Sequence, residues 1–227
     1  DKFTLLKNTK GEHATIEEYK EKIAALQTNK DAKIVMLYTN DPQEQFGFVK
    51  KANDRGYDVL HLDGPLAPHW IAKLEQSNDN IMFVRVDSDT LDKLIQKDEE
   101  IPSKLSKEDE DKLKPLFEEV VNKEKYSVQF ESMNSEDAPV IITQPEFIRR
   151  MMEQQKMGGG GFMGAFPDMR NMVVNANHEK VGDIQNTKTK KSQERKIKQL
   201  TDIALLSQGL LKGEELNEFI ERSIELI

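Results

Sequence analysis

Three short apolar runs in the first half of the chain constrain its fold most. They are KIVMLY at 33–38, YDVLHL at 57–62 and IMFVRV at 81–86. Each has the length of a strand and is almost continuously apolar, as in strands that are buried on both faces. Parallel strands need long crossover connections, and helix-like segments lie between these runs. The pattern predicts a small parallel sheet covered by helices, which is an α/β arrangement.

The helix-like segments carry recognisable start and stop signals. Thr15 and Glu18 form a capping-box pattern before EEYKEKIAAL, which predicts a first helix. Pro42 fits the first turn of a second helix that runs to about Asn53, and Gly56 is placed to end it. The segment HWIAKLEQ predicts a third helix.

An acidic tract from Asp98 to Asp111, DEEIPSKLSKEDED, interrupts this pattern. It has almost no apolar periodicity and ends in acidic residues that favour a helix N-terminus. We interpret it as a linker between domain 1–104 and domain 105–227. A solvated loop inside one large domain is the alternative.

The second half predicts an α+β domain. KLKPLFEEVVN is helix-like, and YSVQFESM and APVIIT are strand-like. The turn-like NSED between these strands predicts an antiparallel pair, to which NMVVN can add a third strand.

Two amphipathic helices complete the chain, with apolar residues from Ile197 to Leu211 in the first and from Leu216 to Ile227 in the second, and both have broad apolar faces. The faces exceed what the small sheet of this half can bury, so pairing with a second copy in a helix bundle is one interpretation, and packing on the chain's own sheet is the other. The predicted interface residues are Ile197, Leu200, Ile203, Ala204, Leu206, Leu210, Leu211, Leu216, Phe219, Ile220, Ile224 and Ile227.

Composition excludes several classes of function. The formal net charge of −8 argues against general nucleic-acid binding, and the chain has no cysteine for a disulfide, a thiolate nucleophile or a cysteine metal site. The sequence shows no membrane span and no export signal, so we expect a cytoplasmic protein with no membrane partner. Because the chain opens at Asp1 without an initiator methionine, we expect it to be a fragment.

Motifs for catalysis are weak. Gly159, Gly161 and Gly164 satisfy a dinucleotide pattern but follow a helix-like segment instead of a strand, and the four histidines have no metal-ligand spacing. Asp41, Asp63 and Asp87 each follow a predicted strand, where α/β sites form. A magnesium-dependent phosphotransfer or phosphatase-like domain is therefore the alternative function. The patterns TND, LDG and DSD favour the simpler interpretation that these aspartates are turn and helix N-cap residues.

Several segments, taken in order, resemble the C-terminal half of the ninety-kilodalton heat-shock chaperones of the bacterial HtpG type. They include TIEEYKEKI, KIVMLYTND, RGYDVLHL, HWIAKLE, APVIIT, VVNANHEKV and DIALLSQGLLKGEELNEFIERSIELI. Each is weak alone, but their order and spacing extend over nearly the whole chain.

The resemblance implies an architecture and a set of partners. The first half would be the small three-layer α/β/α part of the family's middle domain. The second would be an α+β dimerisation domain whose final helical hairpin forms a four-helix bundle with a partner chain. The ATP site and its magnesium would lie upstream, so no cofactor and no catalytic or metal-binding residue is expected here. Partners would be a second copy, partly folded client proteins and the bacterial seventy-kilodalton chaperone system.

The resemblance also implies client-contacting residues. The family's client-contacting tryptophan matches Trp70, although Ala67-Pro68-His69 replace the acidic pair that precedes it in most members. The family's methionine-bearing amphipathic helix matches Phe147, Met151 and Met152. Ordinary core packing is the other interpretation of both sets. GGGGFMGAF is interpreted as a tether with Phe162, Met163 and Phe166 as further apolar contacts.

Overall fold

The computed structural model describes residues 5–96, 101–157 and 168–225. These residues form two compact units, the first of 5–96 with 145–157 and the second of 101–144 with 168–225. The segment 145–157 is thus grouped with the first unit, and the domain boundary drawn from the sequence at 104 stays a prediction.

The elements follow one another in mixed order along the chain. Up to the acidic tract they are β1 (Leu6–Lys7), β2 (His13–Ala14), α1 (Ile16–Gln27), β3 (Ile34–Thr39), α2 (Phe46–Asp54), β4 (Leu60–His61), α3 (Ala67–Ser77), β5 (Ile81–Arg85) and α4 (Leu91–Leu94). The others are α5 (Lys107–Val120), β6 (Tyr126–Glu131), β7 (Val140–Thr143), α6 (Glu146–Met157), β8 (Arg170–Asn175), α7 (Glu179–Gln185), α8 (Lys190–Leu206) and α9 (Gly213–Ile224).

The main sheet of the first unit has the strand order β4-β3-β5, and both pairs are parallel. Side chains alternate along β3: Met36 and Tyr38 join one core with α1 and α3, whereas Val35 and Leu37 join another with α2 and α4. The predicted parallel sheet with helices on both faces is confirmed.

Local signals in the first unit are partly confirmed. The side chain of Thr15 caps α1 together with Glu18, as the capping box predicts. The prediction that α2 begins at Pro42 is wrong, because the helix begins at Phe46. The Asp41 carboxylate accepts hydrogen bonds from the backbone N–H groups of Gln43 and Glu44, at 2.9 and 3.0 Å, and this turn takes the place of a first helical turn.

The sheet of the second unit corrects the predicted strand pairing. β6 and β7 are not neighbours: the order is β6-β8-β7, with β6 parallel and β7 antiparallel to β8. β8 takes the central position because Met172, Val173 and Val174 are fully buried there.

Helices α5, α7 and α8 cover this sheet and share one apolar core with it. The short helix α7 was not predicted from the sequence, and α8 ends at Leu206, before the predicted Leu211. Gly209 adopts a positive φ of 64° just after α8, which suits a glycine at a helix end. Among the described residues, no helix is long and apolar enough to cross a membrane.

Candidate binding surfaces

Trp70 lies on α3, with one side on the core and the other side accessible. Its ring meets that of Phe83 edge to face, with centroids 5.9 Å apart, and it packs against the core between the sheet, α1 and α3. The side chain is only partly buried. Leu66, immediately before α3, is highly exposed and adds apolar surface to the N-terminal end of the same helix.

Helix α6 carries the other predicted client contacts. Phe147 is 70% exposed, and Met151 and Met152 are partly buried. Arg149 is buried, so one face of the helix packs against the first unit and the face of Phe147 is exposed to solvent. Phe162, Met163 and Phe166 lie outside the described residues.

Helices α3 and α6 are neighbours in the first unit. A cavity of about 110 Å³ lies between them, lined by His69 and Ala72 from α3 and by Arg149 and Glu153 from α6. Arg150 of α6 also donates to the Glu75 carboxylate of α3, at 2.8 and 3.1 Å. The structure therefore brings the helix of Trp70 and the helix of Phe147 together, although they are distant in sequence.

The predicted interface residues of the second unit fall into three groups. Ile197, Ala204 and Leu211 are buried in the unit's own core, while Leu200, Leu210, Leu216 and Phe219 are partly buried against it. Ile203, Leu206, Ile220 and Ile224 are exposed. Ile227 lies outside the described residues.

The four exposed residues are divided between the two helices of the hairpin, with Ile203 and Leu206 on α8 and Ile220 and Ile224 on α9. Gln199 of α8 bonds to Ser223 and Arg222 of α9, which fixes how the antiparallel helices face each other. At 100° per residue, Ile220 and Ile224 lie about 160° from Arg222, on the side of α9 that faces away from α8. These four residues, exposed on the outside of the hairpin, are together called the apolar strip.

A buried ion cluster joins α9 to α8. Asp202 has 0% exposure, and its carboxylate accepts from Lys198 at 2.7 Å and from Arg222. A buried carboxylate needs such partners, because desolvation without them is costly. The cluster fixes α9 beside α8, and the guanidinium of Arg222 also lies 5.8 Å from the centroid of the Phe219 ring.

The alternative magnesium site is not assembled. The Asp41 carboxylate accepts hydrogen bonds from a backbone turn, and these bonds hold its pKa below the usual value. The Asp63 Oδ2 lies 3.7 Å from the Nε2 of His61. Asp87 is buried and accepts from Arg85 and Gln45. Over the described ranges, no three acidic or histidine side chains come close enough to hold a metal ion. The three aspartates therefore act separately, as turn and ion-pair residues.

Several residues that fasten these surfaces were missed in the sequence. Arg149 and Arg150 were not singled out, although Glu146 and Glu153 at helical spacing signal ion pairs. Lys198 lies four residues before Asp202, a spacing of the same kind. What the spacing cannot reveal is that Asp202 and Arg149 are buried.

Comparison with known proteins identifies the family. The HtpG chaperone of Porphyromonas gingivalis strain ATCC 33277 is 34% identical over an alignment of 294 residues that covers 100% of this chain. Those of Bacteroides thetaiotaomicron and Bacteroides fragilis strain 638R are 32% and 31% identical with the same coverage. The chain belongs to the HtpG-type chaperone family. No protein-family model matches it.

The chain corresponds to the C-terminal part of an HtpG-type ninety-kilodalton heat-shock chaperone. It spans 43% of the length of the three HtpG relatives, so the resemblance seen in the sequence is confirmed for this part of the family's architecture. The exposed strip on the hairpin and the paired helices α3 and α6 are thus features of a chaperone segment.

Proposed function

We propose that this chain supplies the dimerisation surface and part of the client-binding surface of an HtpG-type chaperone. The observation that carries the proposal is the exposed apolar strip of Ile203, Leu206, Ile220 and Ile224 on the hairpin. Ile203 is 47% and Ile224 is 66% exposed, and several exposed apolar residues on one hairpin favour an interaction surface.

A second copy is the occupant we propose for the strip. Two hairpins that meet through the same strip satisfy two-fold symmetry and form a four-helix bundle. Ile197, Ala204 and Leu211 then hold the hairpin on its own sheet, and the exposed residues contact the partner. In this arrangement, some of the predicted interface residues stabilise the hairpin within its own chain, and the others contact the second copy.

Paired substitutions test the dimer. Ile220→Asp with Ile224→Asp places two charges in the strip, and we expect the dimer dissociation constant, measured by sedimentation equilibrium, to rise by a factor of about 100 or more. The matched control, Ile220→Met with Ile224→Met, keeps the strip apolar and is expected to change the constant by less than about tenfold. Equal dissociation constants for both variants would refute the role of the strip.

The proposed client surface comprises Trp70 with Phe147, Met151 and Met152. These residues lie on helices that are neighbours in the first unit, and methionine and aromatic side chains suit contacts with varied apolar segments. Phe162, Met163 and Phe166 remain part of this proposal from the sequence alone.

A client assay with a matched control tests this surface. We expect Phe147→Ala with Met151→Ala to reduce the suppression of a model client's aggregation by about half or more, since exposed apolar contacts supply most of the capture. Phe46 is a similarly exposed phenylalanine on α2, outside the proposed surface. Phe46→Ala is expected to leave the suppression unchanged, and an equal loss in both variants would contradict the assignment.

The activity of the whole chaperone is part of the same proposal. ATP and magnesium would bind in domains outside this chain, closure there would move the two client surfaces of the dimer, and the protein would work in the cytoplasm with the seventy-kilodalton chaperone system. We therefore expect this chain to hydrolyse no ATP, whereas the magnesium-dependent alternative predicts phosphatase turnover. A phosphate-release assay with magnesium distinguishes the two.

A further inference from the structure

Helix α6 differs from the other long helices of the first unit in what fastens it. Ile71 and Leu74 of α3 are buried in the core on the sheet, as are Val49 and Ala52 of α2 in the opposite core. By contrast, no described side chain of α6 belongs to either core. The helix is therefore not anchored in the way that amphipathic helices usually are.

Arg150 joins α6 to two other elements. Its guanidinium donates two hydrogen bonds to the Glu75 carboxylate of α3, at 2.8 and 3.1 Å, and one to the backbone carbonyl oxygen of Phe83 in β5, at 2.9 Å. A fourth goes to Glu146 within α6, at 2.7 Å. Such a bidentate arginine–carboxylate pair is geometrically specific.

Arg149 adds a second attachment from the same helix. It is almost fully buried, its guanidinium carbon lies 5.6 Å from the centroid of the Tyr38 ring, and its nitrogens donate to Glu146 and Glu153. Burial, the largest single influence, would lower the pKa of Arg149, but the combined effects of Glu146, Tyr38 and Glu153 outweigh it and the pKa is raised. The residue therefore keeps its charge at every physiological pH.

Packing between α6 and α3 is incomplete. The cavity of about 110 Å³ between them is bordered by the two arginines and by Ile71 and Ala72. Moving α6 away would withdraw the buried Arg149 from the Tyr38 ring, but it would remove no described apolar side chain from either core. Loss of apolar core contacts is the step that makes helix detachment most costly.

We propose that Arg149 and Arg150, with Tyr38 and Glu75, form an ionic latch that docks α6 reversibly on the first unit. Release of the latch exposes the partly buried Ile148, Met151 and Met152 and so enlarges the apolar surface offered to an unfolded polypeptide segment. This regulatory role rests on the proposed client-binding function. Arg150 and Glu75 are partly solvent-exposed, so their pairing is sensitive to salt.

Amide hydrogen exchange of the intact chain tests the latch. Glu75→Gln removes the charge but keeps an oxygen that can accept the hydrogen bond from the Phe83 N–H, now 2.8 Å long. We expect the amides of α6 to exchange about tenfold faster, while those of α3 and α8 keep their protection. Unchanged exchange in α6 overturns the proposal.

Two further measurements strengthen the test. Arg150→Lys keeps the charge but loses the bidentate geometry, so we expect faster α6 exchange in a chain that still folds. Raising salt from about 0.05 M to about 0.5 M is expected to have the same effect on the unmodified chain. Glu44→Gln, at an exposed carboxylate on the same unit, is the control and is expected to change nothing.

The latch and the client function fail in different ways. Phe147 is exposed, so Phe147→Ala is expected to reduce client capture without altering α6 exchange. If Phe147→Ala leaves capture intact while Glu75→Gln speeds exchange, the client function is wrong and the latch stands. If capture falls with Phe147→Ala but Glu75→Gln leaves exchange unchanged, the latch is wrong and the client function stands.

Discussion

At the scale of single residues, two buried asparagines join distant segments of the second unit. The Asn177 amide donates to the carbonyl oxygens of Pro102 and Met133, at 3.0 and 2.9 Å, and accepts from the N–H of Lys104 at 2.6 Å. Asn175 accepts from the N–H of Asn177. These bonds give a physical reason for the NAN in VVNANHEKV, which the sequence marks only by family resemblance.

Asn177→Ala tests this role. The substitution leaves two carbonyl groups and one N–H without their partner, so we expect the free energy of unfolding to fall by about 2–4 kcal/mol. Urea denaturation measures it. Asn186→Ala removes an exposed amide with a single hydrogen bond to Gly182 and is expected to change stability by less than about 1 kcal/mol. If Asn177→Ala lowered the free energy of unfolding by less than about 1 kcal/mol, the structural role of Asn177 would be contradicted.

Two buried tyrosines make the stability of the first unit depend on alkaline pH. Burial raises the pKa of Tyr19 and of Tyr38, and in Tyr19 the Asp58 carboxylate raises it further. Above about pH 10 the unfolded chain releases these protons while the folded chain retains them, so stability falls as pH rises. Each tyrosine contributes a slope of up to about 1.4 kcal/mol per pH unit.

Urea unfolding of the chain from pH 8 to pH 11 measures the slope. The raised pKa of Lys22, which is bonded to Asp58 and Glu12, acts in the same direction over the same range. Tyr38→Phe removes one of the titrating groups and is expected to flatten the slope. A constant free energy of unfolding over this range would show that folding does not raise the pKa of the tyrosines.

At the scale of elements, the apolar runs predicted which segments form strands, but the turn between two strands did not predict how the strands pair. The strands β3, β5 and β8 follow from runs such as IMFVRV, because a strand buried on both faces has few polar residues. The pairing of β6 with β7 could not be predicted correctly, because a turn-like NSED indicates only a local reversal. The partner of each strand depends on β8, which comes later in the chain.

For the candidate surfaces, the sequence predicted which helices have an apolar face but not which residues of that face are exposed. Helical spacing predicted the apolar faces of α8 and α9, but it could not distinguish buried Ile197 from exposed Ile203, because that depends on which side the sheet covers. The attachment of α6 beside α3 depends on Arg150 and Glu75, which are 75 residues apart. No local pattern contains a contact of that range.

The Asp202 cluster determines how α9 is held. Asp202→Asn leaves Lys198 and Arg222 without their buried counter-charge, so we expect a loss of about 1–3 kcal/mol and faster amide exchange throughout α9. Hydrogen exchange with mass spectrometry resolves the helix. Glu225→Gln, which removes only an exposed pair with Arg195, is expected to leave exchange unchanged. Equal protection in both variants would show that α9 is held by its apolar contacts alone.

At the scale of the whole molecule, the two proposed surfaces belong to different units. The apolar strip lies on the second unit, and helices α3 and α6 lie on the first. One unit can therefore be altered without removing residues of the other surface. The proposed dimer would carry twice as many client surfaces in each particle, which would favour the capture of long, partly folded chains.

The mass of the unmodified chain in solution tests the central claim most directly. Multi-angle light scattering across a range of micromolar concentrations is expected to give twice the protomer mass of 26.1 kDa. The Ile220→Asp, Ile224→Asp variant is expected to give the protomer mass under the same conditions. A protomer mass for the unmodified chain at all these concentrations would contradict the claim that the α8–α9 strip joins two copies.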